Sequence, residues 1–349
     1  MSQSTYKSVV LAKRPKSVIV PGETFTLKEN PIITEADLED GHVLVQTLYL
    51  SLDPGMRGWL NDVRSYIPPV QIGEVMRGVS IGKVVTSKSP LFAVGDYVSV
   101  MSGWAELCTA DAEGKDGKSL TKLSTPANGK ITDALGVLGM PGLTAYFGLL
   151  NVGKVKAGDF VVVSGAAGAT GSIVCQIAKL KGAKVLGIVG SDEKAKWLKD
   201  LGCDEALNYK DANFVANFKA KTKDKIDVFF DNVGGDVLEL AISRAKLYAR
   251  FVICGAISQY NSAAQSGPKN FSNIVSLRLK MEGFIVFDYS SQYHKALEEL
   301  AQWLAEGKLQ RKETIVSGGL EVADRALAAL YKGINTGILF YPRIIKLTG

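Results

Sequence analysis

The chain has 349 residues, of which 46% are hydrophobic, with a net charge of +6, four cysteines and two histidines. This length suits two domains, and so few, widely spaced Cys and His residues argue against a disulfide framework or a zinc site. Charges are interspersed, no apolar run is long enough to cross a membrane, and the start lacks the apolar core of a signal peptide. We therefore expect a cytoplasmic protein with no nucleic-acid or membrane partner.

The first ~130 residues predict a β-rich domain. Short apolar or alternating runs recur in chain order as "KSVVLA", "SVIV", "HVLVQTLYL", "SIGKVVTS" and "DYVSVMSGWAEL". Turn signals such as "PGE", "DPG" and "AVGD" separate them. Strands this short, at this spacing, indicate a sandwich or a barrel.

The pattern changes near residue 131, where "ITDALGVLGMPGLTAYFGLL" has helical spacing, and strands and helices alternate from residue 159 onwards. The strands "FVVVSG", "KVLGIVG", "EALNY", "KIDVFFDNVG" and "ARFVICGA" are separated by amphipathic segments, and "KMEGFIVFDY" predicts a sixth strand. Near-continuous apolar strands of this kind predict a doubly wound parallel sheet covered by helices on both faces. After the helix "SQYHKALEELAQWLAEGK", the strand-like "GILFYPRIIKL" is expected to return to the first domain.

A glycine-rich loop lies between the first strand and helix of this sheet. The stretch "VVVSGAAGATGS" places Gly165, Gly168 and Gly171 in a relaxed form of the dinucleotide-binding fingerprint. Glycines allow a sharp turn and a close approach of pyrophosphate to backbone N–H groups at the helix N-terminus. Tight packing of helix on sheet without a ligand is the alternative interpretation.

The tip of the second strand, in "KVLGIVGSDEKAK", bears on the choice of cofactor. An NAD-binding protein usually has an acid there for the ribose 2′-OH, whereas this chain has Gly190-Ser191. Lys194 follows one turn into the helix and is a candidate for a 2′-phosphate, with Tyr209 and Lys210 as possible neighbours. Asp192 either starts the helix or lies close enough to the ribose to permit some use of NADH.

Several further stretches together resemble the zinc-free medium-chain dehydrogenase/reductase superfamily, in the branch of alkenal double-bond reductases, prostaglandin reductases and curcumin reductases. They are "YLSLDPGMRGW", "GMPGLTAYFGL", "AAGATGSIVCQIAKLKGAKVLGIVGSDEK", "LNYK", "FFDNVGG", "CGAISQYN" and "INTGILFYPR". The resemblance implies an α/β protein with a GroES-like β-barrel domain at 1–130, a Rossmann NADPH-binding domain at 131–300, and a segment at 301–349 that returns to the first domain. It also implies NADPH as cofactor and a homodimer.

The resemblance further implies which residues bind the cofactor. Gly168, Ala169, Thr170 and Gly171 are expected at the pyrophosphate, and Ser191, Lys194 and Tyr209 at the 2′-phosphate. The residues expected at the nicotinamide half are Asn232, Cys254, Gly255, Ala256, Ile257, Ser258, Phe284, Ile285 and Val286. Asn335 is expected to form a hydrogen bond near the pyrophosphate or the nicotinamide ribose.

The expected reaction is hydride transfer from NADPH to the β-carbon of an enone or enal, followed by protonation of the α-carbon. Tyr260 of "SQYN" is the candidate donor to the carbonyl oxygen, where charge develops; packing over the cofactor is its alternative role. The chain departs from the family at Gly55, where many relatives have a substrate-facing tyrosine, and at Arg77, where plant relatives have an aromatic residue. Arg77 either suits a carboxylate-bearing substrate or pairs with Glu74 or Asp53.

Tyr49, Gly55 and Arg77 are thus the candidate substrate residues, and Tyr66 and Trp104 either line the same site or pack structurally. Three functions stay open: an enone or enal reductase, a quinone oxidoreductase or carbonyl reductase on the same scaffold, and an NADPH-binding sensor with little turnover.

Overall fold

The computed structural model describes residues 4–125, 128–262, 266–333 and 338–342. The chain divides into two compact units, one made of Met1–Leu135 with Glu313–Gly349 and the other of Gly136–Lys312. The second unit is therefore inserted between two parts of the first.

The first unit is built on a largely antiparallel sheet. The described strands of this unit are β1 Thr5–Leu11, β2 Phe25–Pro31, β3 His42–Leu52, β4 Ser80–Ser87, β5 Tyr97–Val100, β6 Leu107–Asp111, β7 Thr121–Lys122, β14 Glu313–Ile315 and β15 Ile338–Pro342. Seven of them form the main sheet in the order β14-β15-β3-β4-β5-β7, with β6 also paired to β3. The other two, β1 and β2, form a separate antiparallel pair. Because β15 pairs antiparallel with β3, the last described strand belongs to this sheet.

A short 3₁₀ helix at Pro54–Leu60 follows β3 and is held in place by hydrogen bonds from its buried arginine. The buried Arg57 donates hydrogen bonds to the carbonyl oxygens of Pro15 and Ser17 and to Asn61 Oδ1. The predicted strand "SVIV" at residues 17–20 is wrong, since Ser17 and Val18 lie in a bend and the next two residues have no regular structure. The Ser17 carbonyl bonds to the Arg57 guanidinium instead of to a neighbouring strand.

The second unit confirms the predicted doubly wound parallel sheet. Its described strands number six, all parallel, in the order β10-β9-β8-β11-β12-β13. They are β8 Phe160–Val163, β9 Lys184–Val189, β10 Glu205–Asn208, β11 Ile226–Asp231, β12 Ala245–Ile253 and β13 Lys280–Gly283. The strand order reverses direction between β8 and β11, which is where open α/β sheets bind ligands.

The helices of this unit are α1 Met140–Phe147, α2 Ala169–Leu180, α3 Asp192–Asp200, α4 Phe214–Lys221, α5 Gly235–Ser243, α6 Ser272–Ser276 and α7 Tyr293–Ala305. Helix α8, Ala323–Leu330, packs its apolar face into the core of the first unit. The strand predicted from "KMEGFIVFDY" ends early, at Gly283, and Val286–Gln292 forms a 3₁₀ helix. Phe284 packs against Phe230, and the Tyr293 hydroxyl bonds to the Val286 carbonyl, so the chain turns there.

Candidate active site

The glycine loop joins β8 to α2 through very close backbone contacts. Gly165 has φ +59°, a left-handed conformation that favours glycine. A Cβ on Gly171 would lie 2.4 Å from the Gly165 carbonyl oxygen, so no larger residue fits without a backbone shift. Gly168 caps α2 without a side-chain hydrogen bond, and the first-turn N–H groups of a helix have no intrahelical acceptor. The loop therefore presents donors where an anion would bind.

At the tip of β9, Ser191 is the N-cap of α3, and its hydroxyl accepts a hydrogen bond from Lys194 N at 3.3 Å. Asp192 occupies the first helical turn, where its Oδ1 accepts from Asn208 Nδ2 at 2.9 Å. A Cβ on Gly190 would lie 3.1 Å from the Tyr209 ring, so the ring covers the strand tip. Ser191 and Tyr209 are thus brought together, with the Asp192 carboxylate tied to β10.

Three lysines approach this tip from different parts of the second unit. Burial first, and then the charges of Lys210 and Lys312, lower the pKa of Lys194, whereas Glu193 raises it. The ammonium of Lys210 lies 5.8 Å from the Tyr209 ring centroid. Lys312 lies 3.7 Å from Glu193 and 5.7 Å from the ring of Trp197. Several lysine charges that act on one half-buried lysine are suited to a multiply charged anion.

The end of β11 is organised by a buried carboxylate. Asp231 is 0% exposed, and its Oδ1 accepts hydrogen bonds from the Ser164 hydroxyl at 2.7 Å and from the N–H groups of Val233 and Gly234. Burial raises the pKa of Asp231, and these three bonds partly oppose that rise. Asn232 bonds to Ser164 through both its backbone N–H and its side chain. Asn232 is therefore fixed beside the glycine loop.

The loop after β12 lies over the same strand end. The N–H groups of Cys254 and Gly255 both donate to the Asp231 carbonyl. Ile257 N donates to the Asn232 carbonyl. The Val233 carbonyl accepts from both the N–H and the hydroxyl of Ser258. The half-buried Tyr260 folds back over this loop, and its Oη accepts from Ala256 N at 3.2 Å. Asn232, residues 254–258 and Tyr260 thus form one continuous surface.

The third nicotinamide-side segment, Phe284 to Val286, follows β13. The carbonyl oxygens of Ile285 and Val286 already accept hydrogen bonds from Asp288 N and the Tyr293 hydroxyl. Phe284 packs inward near Gly148, where an added Cβ would lie 2.6 Å from its ring. Asn335 lies outside the described residues.

In the first unit, the space beside Gly55 contains a phenol. Tyr66 Oη lies 3.9 Å from the position of a Gly55 Cβ and accepts a hydrogen bond from Trp59 Nε1 at 2.9 Å. Arg77 donates to the Pro68 carbonyl at 2.9 Å, and its guanidinium lies 5.8 Å from the Trp59 ring centroid.

Neither of the expected partners of Arg77 pairs with it among the described residues. Asp53 Oδ1 accepts from Gly55 N, and Glu74 Oε2 accepts from Gln71 N. The structural pairing considered for Arg77 is therefore wrong. Trp104 is fully buried in the apolar core, and the half-buried Tyr49 lies in β3.

Among the described residues, no group of three or more His, Cys, Asp or Glu side chains is arranged to hold a metal ion. No described helix combines the length and apolar character needed to span a membrane.

Comparison with known proteins identifies the family. A model described as the N-terminal domain of oxidoreductase matches residues 7–118, and one described as zinc-binding dehydrogenase matches residues 169–302. The NADPH-dependent curcumin reductase of Escherichia coli (strain K12) is 39% identical over 94% of each chain. Prostaglandin reductase 1 of Bos taurus is 42% identical over 86% of this chain and 89% of its own. The chain belongs to the zinc-free medium-chain dehydrogenase/reductase superfamily.

A solved structure agrees with this assignment. The crystal structure of CurA in complex with NADPH from Vibrio vulnificus is 39% identical, has a TM-score of 0.89, and covers 97% of this chain and 100% of that chain. The sequence-based assignment to the reductase branch of the superfamily, and to the oxidoreductases, is confirmed.

Sequence reasoning missed some of this superfamily member's site architecture. Lys312 was overlooked because it lies far along the chain from Lys194. Ser164 and Asp231 were also missed, although they directly precede Gly165 and Asn232 and so flanked the motifs already found. The Trp59–Tyr66 hydrogen bond had no signal in the sequence pattern.

Proposed function

We propose that this protein is an NADPH-dependent reductase of the activated C=C bond of α,β-unsaturated ketones and aldehydes. The observation that carries the cofactor part of the proposal is the tip of β9, where the strand end has no acidic side chain and the charges of Lys210 and Lys312 act on the half-buried Lys194. The names of the relatives, which include curcumin and prostaglandin reductases, support the reaction class.

The residues at the two phosphate positions fit this cofactor. Lys194 is the proposed principal partner of the 2′-phosphate, with Ser191 and Tyr209 beside it. The pyrophosphate is proposed to bind at Gly168 to Gly171, where a Cβ on Gly171 would meet backbone atoms and where the first-turn N–H groups of α2 act as donors. Because Asp192 bonds to Asn208, its carboxylate is held by the protein and a preference for NADPH over NADH follows.

The nicotinamide half is proposed to bind along Asn232, Cys254 to Ser258 and Phe284 to Val286. When bound, NADPH supplies the hydride that reaches the β-carbon of the substrate. Tyr260 is the proposed donor to the substrate carbonyl oxygen, because a phenol carries a donor hydrogen and its Oη lies at the loop after β12, where it accepts a hydrogen bond from Ala256 N. A donor already oriented by the protein stabilises the negative charge that develops on that oxygen.

The proposed reaction is tested by product analysis. The protein is incubated with NADPH and, separately, with 4-phenylbut-3-en-2-one, trans-2-hexenal and a benzoquinone, and the products are identified by NMR and gas chromatography. The proposal requires a saturated ketone or aldehyde with its C=O intact. An allylic alcohol, or a hydroquinone as the only product, identifies the carbonyl or quinone reductase instead, and tight NADPH binding without turnover of any compound identifies a sensor.

A homodimer and a cytoplasmic location remain proposals. In the described sheet, β13 is an edge strand, and Phe271 and Val275 in the segment before it are 65% and 71% exposed. Exposed apolar side chains beside a sheet edge favour self-association. Light scattering at several protein concentrations tests this, and a monomer at all concentrations would exclude the dimer.

A further inference from the structure

Asp231 is a buried carboxylate that has no role in the reaction proposed above. It lies at the end of β11, beside β8, where the strand order of the sheet reverses. We propose that its negative charge favours the oxidised, positively charged form of a bound nicotinamide ring and so makes bound NADPH a better hydride donor. This inference rests on the proposed placement of the nicotinamide half along Asn232 and residues 254–258, and it deepens that function.

Asp231 lies between two loops of the proposed cofactor site. Its side chain accepts a hydrogen bond at 2.7 Å from the hydroxyl of Ser164, the residue directly before the glycine loop. Its backbone carbonyl accepts from the N–H groups of Cys254 and Gly255. A Cβ on Gly255 would lie 2.9 Å from Tyr260 Oη, so this backbone is next to the proposed donor to the substrate. Asp231 is therefore attached both to the loop proposed for the pyrophosphate and to the loop proposed for the nicotinamide.

The carboxylate of Asp231 accepts hydrogen bonds from uncharged donors, and on one oxygen only. Oδ1 accepts from the Ser164 hydroxyl, from Val233 N at 3.0 Å and from Gly234 N at 2.9 Å. The buried Oδ2 has no hydrogen-bond partner among the described residues. Three donors on one oxygen stabilise the ionised form of a carboxyl group. Burial and these bonds determine the pKa of Asp231, and no cationic side chain of the described residues contributes to it.

A buried negative charge without a counterion is costly, because it loses the stabilisation that water would give it. A positive charge nearby would offset part of that cost. Donation of a hydride carries one proton and two electrons to the β-carbon of the substrate and leaves the nicotinamide ring with one positive charge. Attraction to the Asp231 carboxylate, acting through protein and not through water, favours that charged ring over the neutral reduced one. Because the positive charge already develops during the transfer, the same attraction lowers the barrier.

The two cofactor forms separate this effect from repulsion of the phosphates. NADPH and NADP⁺ have the same pyrophosphate and 2′-phosphate, so the Asp231 charge acts on those groups equally in both. The forms differ in the charge of the nicotinamide ring. The ratio Kd(NADP⁺)/Kd(NADPH) therefore measures how the protein acts on the ring.

Asp231→Asn tests the inference because it removes the charge and keeps an acceptor. The amide oxygen can take the place of Oδ1, and the amide nitrogen then takes the place of Oδ2, which accepts no hydrogen bond from the described residues. The dissociation constants of NADP⁺ and NADPH are measured by calorimetry without substrate. Asp231→Asn is expected to raise the ratio Kd(NADP⁺)/Kd(NADPH) about 3- to 10-fold over the wild type, because NADP⁺ loses an attraction that NADPH never had.

Asp227→Asn is the matched control. Asp227 lies at the opposite end of the same strand, where its carboxylate accepts from Phe160 N and pairs with Lys246, and its replacement should leave the ratio unchanged. Asp231→Ser, which is also neutral, is the second variant and should raise the ratio if Asp231→Asn does not fold. An unchanged ratio in a folded Asp231 variant, including equal weakening of both cofactor forms, would overturn the proposal and leave Asp231 a purely structural role. An equal change in Asp227→Asn would overturn it as well.

The hydride step gives a second readout, which also separates this inference from the proposed reaction. In single turnovers followed by NADPH absorbance, Asp231→Asn should slow the oxidation of bound NADPH about 3- to 10-fold with whichever test compound the wild type reduces. An unchanged rate would overturn the effect on hydride donation. If the binding ratio shifts as expected but no enone or enal is reduced, the Asp231 inference holds and only the proposed reaction fails. If enones are reduced and the ratio does not shift, the reaction holds and the role of Asp231 is wrong.

Discussion

Replacing Lys194 by alanine tests the cofactor assignment most directly. The lysine lies half-buried in the first turn of α3, and the charges of Lys210 and Lys312 lower its pKa. Folding partly buries its ammonium group near other positive charges, which disfavours the charged form. A bound phosphate would stabilise that charge. We therefore expect Lys194→Ala to weaken NADPH binding and to leave NADH binding nearly unchanged.

The expected magnitude follows from the geometry. A unit-charge pair 4 Å apart contributes about 4 kcal/mol at an effective dielectric constant of 20. Solvent around this half-exposed tip reduces that value, and the two remaining lysines retain part of the attraction. A hydrogen bond to a charged group contributes about 1.5–3 kcal/mol net, which corresponds to a rise of about 12- to 140-fold in the dissociation constant of NADPH.

The assay is a cofactor titration followed by intrinsic fluorescence at low and high salt. Lys196→Ala is the matched control, because Lys196 lies on the same helix with its side chain 77% exposed and pairs with Asp200. Equal losses for NADPH and NADH, or an equal loss in Lys196→Ala, would refute the phosphate assignment. The NADPH effect should also shrink at high salt, since the interaction is ionic.

The same residue should oppose stability when the cofactor is absent. A lysine whose folded pKa lies below its unfolded value of 10.5 destabilises the fold at neutral pH, and this cost disappears as the pH rises through the folded pKa. Lys194→Met is therefore expected to raise the Tm of the cofactor-free protein at pH 7 and to have a smaller effect near pH 10. A lower Tm at pH 7 would show that the charge does not carry this cost.

Three further outcomes are expected. Gly171→Ala places a Cβ 2.4 Å from the Gly165 carbonyl oxygen, and it should lower the free energy of unfolding by about 1–3 kcal/mol and weaken NADPH binding. Gly168→Ala, whose nearest contact would be 3.3 Å, should lower the free energy of unfolding by less. A larger loss in Gly168→Ala than in Gly171→Ala would contradict the loop geometry. Because burial raises the pKa of Asp231, wild-type stability should fall as pH rises above 3.8 through the folded pKa. Asp231→Asn should flatten that part of the denaturation profile, and an unaltered profile would rule the carboxyl out as its source. Tyr260→Phe should reduce kcat about 10- to 100-fold with a smaller change in KM, so steady-state kinetics with an unchanged kcat would reject its donor role.

The parallel sheet could be predicted from the sequence because its strands are continuous apolar runs. Val161 to Val163 and Phe229 to Phe230 are fully buried, as expected for strands covered on both faces. The end of β13 could not be predicted in this way. Residues 284–287 are as apolar as a strand, and only the tertiary contacts of Phe284 and the Val286 carbonyl turn the chain there.

The residues expected at the cofactor could be predicted from the sequence for a related reason. Its residues lie in loops that directly follow strands, and the carboxyl ends of parallel strands meet at one edge of the sheet. Gly165, Ser191, Tyr209, Asn232 and Cys254 are each within two residues of a strand end. Lys312 follows no strand of this sheet, so nothing local indicated that its charge reaches Lys194.

The surroundings of Gly55 could not be predicted from the identity of that one residue. Gly55 indicates that a ring is missing, which suggests an open space and a lost hydrogen bond. The structure instead brings the hydroxyl of Tyr66 from the following loop to the same place and fixes it through Trp59. Positions 55, 59 and 66 are therefore neighbours in space, and a larger residue at position 55 would press on the Asp53 cap and lie close to the Tyr66 hydroxyl at the same time.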